Sequence, residues 1–251
     1  MIYIIKKILI IMNIIINIRA FDSNNLIIRA RLCKFTYINN ISKIINKCEY
    51  NDYIRIKNCY LFHNKNTIDL CFRGTTNIND ICFNLNIYPQ SFIREDIKIH
   101  SGFLKKYLLI RDIIINKTDE IIRNNSIKKI YISGHSSGGA IANIATLDLN
   151  ILYPEIEINT ITFGSPRVAN KAFIDEYNKR IKNSIRIVNN NDIIQFLPLP
   201  IIYHHIHKPL ILFNKNKLKS HKINDIINYF KDNHGTSTYI KNLKGISKLD
   251  I

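Results

Sequence analysis

Three of the chain's eight glycines fall within six residues, Gly134-His135-Ser136-Ser137-Gly138-Gly139. A serine with glycine two positions before and after it suits a sharp strand-to-helix turn. Small neighbours let the two elements approach closely, and the turn pushes the Ser136 hydroxyl into the open as a nucleophile for acyl transfer. The next amide, that of Ser137, then sits at the helix start, where unpaired N–H groups and the helix dipole favour a developing oxyanion. A serine hydroxyl is a weak nucleophile until a base takes its proton, and the base needs a carboxylate to fix its tautomer. In the chain order serine, acid, histidine, Asp192 is the candidate acid, with a second reading as the cap of the following turn. His204, His205, His207, His221 and His234 all follow it as candidate bases, and His234 has Gly235 beside it.

The elements that must position these residues are legible in the hydrophobic pattern. Cys59–Phe62 and Thr67–Phe72 read as strands around the polar turn Asn64–Asn66. Tyr107, Ile110, Ile114 and Ile121 recur at helical spacing between Phe103 and Ile122, which predicts one long amphipathic helix. A strand follows at Lys128–Ser133, then the glycine-rich turn, then a helix over Ser137–Ile151 with Ala140, Ile141, Ile144 and Ala145 on one face. The alternation continues with a strand at Ile158–Phe163, a helix at Lys171–Ile181 and a strand at Ser184–Val188. Such alternation predicts an α/β fold with a mostly parallel central sheet and helices on its faces. Asp192 then follows the last clear strand, at the end of the sheet where catalytic loops gather.

At 251 residues the chain is long enough for one large α/β domain, and no repeat or linker divides it. Residues 1–20 place Lys6 and Lys7 ahead of an apolar run, Ile8–Ile18, with Arg19 and Ala20 after it. That is the pattern of a signal peptide; the run is short for a spanning helix, so a retained anchor is the second reading. The domain is then expected over residues 21–251. Setting the three N-terminal charges aside lowers the net charge only from +17 to +14, which favours contact with anionic surfaces. The Lys and Arg are scattered and form no nucleic-acid motif, which argues against a nucleic-acid partner. Five cysteines, Cys33, Cys48, Cys59, Cys71 and Cys82, form no metal-binding spacing, and an odd count leaves at least one thiol free. A Cys48–Cys59 disulfide is one possible pairing among several.

Taken together, these motifs resemble the class 3 lipases, over about two thirds of the chain. Phe72-Arg73-Gly74-Thr75 is similar to the family's oxyanion strand end, and His100-Ser101-Gly102-Phe103 to the start of its long helix. Ser133–Gly139 resembles its nucleophile turn, Thr162-Phe163-Gly164-Ser165-Pro166-Arg167-Val168 the strand after it, and Arg186-Ile187-Val188 with Asp192 and Pro198 the strand and loop of the acid. Tyr203 and His205 match a Tyr-x-His motif, and His234 with Tyr239 the terminal histidine segment. The resemblance implies an α/β-hydrolase fold, a triad of Ser136, Asp192 and His234, and an oxyanion hole from Thr75 and the Ser137 amide. It makes His205, His100 and His135 structural and leaves His221 as the reserve base. It implies no metal or organic cofactor, and an acylglycerol or phospholipid substrate at a lipid–water interface.

The segment after Thr75 departs from the family. A lid with tryptophan, ending in an Asp–Leu pair, is usual there; this chain has no Trp, and Asn84 stands where the Asp is usual. If Asn77–Leu85 is helical, Ile78, Ile81, Cys82 and Leu85 form one apolar stripe, so a short lid is still expected. The rival readings are a phospholipase A1 or other carboxylesterase, a serine peptidase, and a catalytically inactive lipid- or membrane-binding protein.

Overall fold

In the computed structural model, residues 22–38, 50, 52–75, 88–207, 209–213 and 223–246 are described. The predicted signal segment, the lid residues Ile78, Ile81, Cys82 and Leu85, and His221 lie outside them. The elements run α1 (Ser23–Phe35), β1 (Asp52–Ile56), β2 (Cys59–His63), β3 (Thr67–Phe72), β4 (Pro89–Phe92), β5 (Arg94–His100), α2 (Ser101–Asn124), β6 (Lys129–His135), α3 (Ser137–Leu152), β7 (Glu157–Phe163), α4 (Lys171–Arg180), β8 (Asn183–Asn189), a 3-10 turn (Ile194–Phe196), β9 (Leu210–Leu212), α5 (Ile223–His234) and α6 (Thr236–Ile246). Seven strands form the main sheet in the order β1-β2-β3-β6-β7-β8-β9, and β4 with β5 makes a separate hairpin. β1, β2 and β3 pair antiparallel, while β3, β6, β7, β8 and β9 run parallel. This is the expected mostly parallel α/β sheet, with an antiparallel edge.

Alternation along each strand divides the core in two. Ile68, Leu70 and Phe72 of β3, with Ile130 and Ile132 of β6, face a cluster that includes Phe103, Leu104 and Tyr107 of α2, Ala140 and Ile144 of α3, and Phe173 of α4. Cys71 of β3, Ile161 and Phe163 of β7, and Ile185 and Ile187 of β8 face the other cluster, with Leu26, Leu32 and Cys33 of α1 and Tyr239 of α6. Helices thus cover both faces. α3 lies against the sheet through a small-residue run, Ser137-Gly138-Gly139-Ala140, all buried.

α1 is pinned to the sheet by charge as well as by apolar contact. Arg29 donates from Nε and Nη2 to the two Asp69 oxygens at 2.9 and 3.0 Å, and both side chains are buried. The guanidinium also stacks over the Tyr131 ring at 3.8 Å. A planar two-point contact of this kind fixes orientation, because only one approach of the helix satisfies both oxygens.

Candidate active site

Ser136 occupies the turn between β6 and α3 with φ 60° and ψ −133°, a left-handed backbone that a non-glycine residue holds only when its surroundings enforce it. The enforcing contacts are visible. The Ser136 amide donates to the Phe163 carbonyl at 2.9 Å, which ties the turn to β7. A Cβ on Gly134 would lie 2.2 Å from the Gly138 carbonyl oxygen, so the strand end and first helical turn touch backbone to backbone. Contrary to the expectation of an open hydroxyl, Ser136 is 1% exposed and its Oγ is enclosed at this tight strand–helix junction.

Asp192 follows β8 and is fully buried. Its Oδ1 accepts the Ile194 amide at 2.9 Å, a local turn bond that leads into the 3-10 turn, whose cap residue is Ile193. Its Oδ2 accepts two further donors, His234 Nδ1 at 2.8 Å and the Tyr239 hydroxyl at 2.6 Å. One carboxylate thus serves both the turn that follows it and the His234 ring. Because a carboxylate only accepts, His234 donates from Nδ1 in this contact, and Nε2 is the ring nitrogen left over. Burial, and then the neighbouring Asp192, raise the Tyr239 hydroxyl well above the ordinary phenol range, so it stays a donor. Gly164 (φ 57°) makes the space: a Cβ there would lie 2.5 Å from Asp192 Oδ2 and 3.1 Å from His234 Cε1.

The structure thus brings Asp192, His234 and Tyr239 together; it does not join Ser136 to His234. Ser136 Oγ and His234 Nε2 are both buried without a hydrogen-bond partner among the described residues. The histidine beside the serine does contact His234. The His135 and His234 rings are 4.5 Å apart between centroids, and His135 Nε2 donates to the His234 carbonyl at 2.6 Å. The Tyr37 hydroxyl donates to His135 Nδ1 at 3.0 Å. Burial, with His234 adjacent, pushes the His135 imidazole down to about 3, so it is a neutral strut between the serine turn and the His234 backbone.

On the other side of Ser136, Thr75 leaves the end of β3. Its amide donates to Ser137 Oγ at 2.9 Å, and its hydroxyl lies 3.0 Å from the same oxygen. Lys106 of α2 donates to Thr75 Oγ1 at 3.2 Å. The Ser137 amide is the first of α3, where no intrahelical acceptor is in reach.

His100 and His205 are structural in their contacts. His100 Nδ1 accepts the Gly102 amide at 3.2 Å and caps α2. His205 Nε2 donates to the Gln195 carbonyl at 2.7 Å, which steadies the turn that Asp192 begins. Several supports of the site escape a reading of the sequence. Tyr37, Lys106 and Asn189 carry no motif, and Asn189 acts through its side-chain amide on the Asn233 carbonyl at 2.8 Å. Only the chain's return to one end of the sheet collects them.

Comparison with known proteins identifies the family and the fold. The family model described as lipase (class 3) matches residues 70–201, which include Ser136 and Asp192. A secreted mono- and diacylglycerol lipase of Malassezia restricta is 29% identical over 161 residues, covering 60% of this chain and 54% of that protein. A lipase of Rhizopus niveus is 32% identical over 139 residues, covering 53% and 35%. The chain therefore spans about half or less of the length of these relatives. Among solved structures, a mutant Rhizomucor miehei lipase propeptide complex superposes with a TM-score of 0.70 at 22% identity, covering 77% of this chain and 67% of that one. A lipase from Rhizopus microsporus var. chinensis gives 0.68 at 20%, covering 78% and 75%. These structures share the fold, and the family match spans the strand that leads to Thr75, the serine turn and the acid loop. The chain belongs to the class 3 lipase family.

Proposed function

We propose that this protein is a serine carboxylic ester hydrolase acting on lipid acyl esters. Ser136 is the nucleophile, His234 the base and Asp192 its orienting acid. The observation that carries the reading is the Asp192–His234 contact at 2.8 Å beside a serine held at φ 60°. Ser136 Oγ and His234 Nε2 are complementary orphans, a buried donor and a buried acceptor. Each unpaired group costs about 1–3 kcal/mol, so engaging one another or a substrate is favourable, and catalytic contacts often tighten only in the complex.

His234 takes the Ser136 proton as Ser136 attacks the ester carbonyl, and Asp192 stabilises the imidazolium that forms. The Ser137 and Thr75 amides stabilise the oxyanion, each donor worth on the order of 3 kcal/mol where such donors have been removed. For Thr75 this requires its amide to leave Ser137 Oγ, with Lys106 holding the threonine side chain meanwhile. His234 then protonates the leaving alcohol, and water repeats the sequence on the acyl-enzyme.

Three features support a lipid substrate. Phe196, Leu199 and Ile201, on the loop after Asp192, are 57%, 68% and 81% exposed and suit an apolar surface. The net charge of +17 favours an anionic interface. The Malassezia relative is named as a secreted mono- and diacylglycerol lipase, and Lys6, Lys7 and Ile8–Ile18 suit the same secretory route. A turnover panel of diacylglycerol, triacylglycerol, phosphatidylcholine and short p-nitrophenyl esters tests the reading. Wild-type protein is expected to cleave acylglycerol, and Ser136→Ala to lose activity by on the order of a million-fold. Equal turnover by the two proteins would refute it, and a wild type that binds vesicles without cleaving any ester would favour an inactive lipid-binding protein.

A further inference from the structure

Cys33 of α1 and Cys71 of β3 meet inside the second core cluster, with their sulfur atoms 3.5 Å apart and no exposure of either residue. They are 38 positions apart in sequence and are free thiols in this state. The third described thiol cannot compete. Cys59 is in register with Phe72, so it faces the α2–α3 side of the sheet, whereas Cys71, in register with Tyr60, faces α1. Strand alternation thus selects one pair among the described thiols.

We propose that Cys33 and Cys71 are a disulfide site, closed when the chain folds in an oxidising environment. A disulfide needs the sulfurs about 2.05 Å apart, so an approach of roughly 1.5 Å is required, within the reach of small side-chain rotations. Two thiols become one S–S bond: a thiolate of the pair attacks a disulfide of the glutathione or oxidoreductase class and expels one partner thiolate, and the second thiolate attacks the resulting mixed disulfide and expels the other. The two electrons leave with the two partner sulfurs, and the two protons given up by the cysteines end, through solvent, on those partner thiols. Burial pushes the Cys33 thiol well above its ordinary range, which suppresses the attacking thiolate once the core has closed. The bond therefore forms while α1 is docking and, once closed, resists reduction in the folded protein.

The staple has a place in the architecture. β3 leads directly to Gly74 and Thr75, and α1 leads directly to Tyr37, whose hydroxyl supports His135. One cross-link would restrain both approaches to Ser136 without touching a reacting group.

The test is a disulfide map of the wild-type protein after refolding in a mixture of reduced and oxidised glutathione, with free thiols alkylated under denaturing conditions. A cross-linked pair of peptides containing Cys33 and Cys71 is expected, and reduction should lower the Tm by roughly 10 °C, from the loop length and the usual ratio of stability to Tm. Cys33→Ala and Cys71→Ala should each show the lower Tm and no response to reductant. Full alkylation of both residues, or either one bonded to Cys48, Cys59 or Cys82, would overturn the assignment. The map reads the bond itself, so it stands or falls independently of esterase activity.

Discussion

At the scale of single residues, the proposed site is held by a small set of side-chain contacts. Asp192 shares one oxygen between His234 and Tyr239, so the carboxylate cannot swing without breaking both contacts. Thr75 is held in a different way, through the Lys106 ammonium and the Ser137 hydroxyl. Lys106→Met keeps the length of the stem and removes the donor. A hydrogen bond from a charged group is worth about 1.5–3 kcal/mol. Steady-state kinetics on a p-nitrophenyl ester should therefore show kcat lower by about ten-fold or more, with KM little changed. A rise in KM at constant kcat would place Lys106 in substrate binding instead.

At the scale of elements, β2, β3, α2 and the run from β6 to β8 are legible in the sequence, whereas α1, the β4–β5 hairpin and β9 are not. β6, α3, β7, α4 and β8 fall within two residues of the expected boundaries, because buried parallel strands and the helices on them carry unbroken apolar periodicity. α1 hides because its buried face includes Arg29, which breaks the apolar stripe; its partner Asp69 lies 40 positions away. The β4–β5 hairpin hides for another reason: Arg94, Glu95 and Asp96 are exposed, and Arg94 pairs with Asp96 and Glu176 rather than packing. β9 has three residues and no pattern to read. The Arg29–Asp69 account is testable. Arg29→Met should destabilise by about 3–5 kcal/mol in urea denaturation, because it strands a buried carboxylate. Adding Asp69→Leu should recover much of the loss, and a purely additive second loss would contradict the account.

At the scale of the whole molecule, three histidines buried in different places make stability depend on pH in one direction. Burial pushes His100 down to about 4 and His135 and His205 to about 3. At these positions the unfolded chain, with histidines near 6.5, binds more protons than the native state around pH 5, and His207, also pushed down by burial, adds in the same direction. Stability is therefore full above about pH 7 and falls as pH drops from 6.5 toward 4. Urea midpoints between pH 7.5 and 5 should show this decline, and His205→Gln, which keeps a donor for the Gln195 carbonyl, should make it shallower. A flat profile in both proteins would contradict the buried, neutral assignment. Chain order alone offers five histidines after Asp192 and the family resemblance singles out His234; the fold sets His234 against Asp192 while His205 turns to a backbone carbonyl. All these supports converge on one hydroxyl, so its reactivity is the most direct test. The measurement is peptide mass mapping after treatment with diethyl p-nitrophenyl phosphate, which phosphorylates an activated serine without any need to know the natural ester. The account predicts one diethylphosphoryl group on Ser136 in the wild type and none at that rate in His234→Ala. Modification elsewhere, or equal labelling of Ser136 in both proteins, would contradict it.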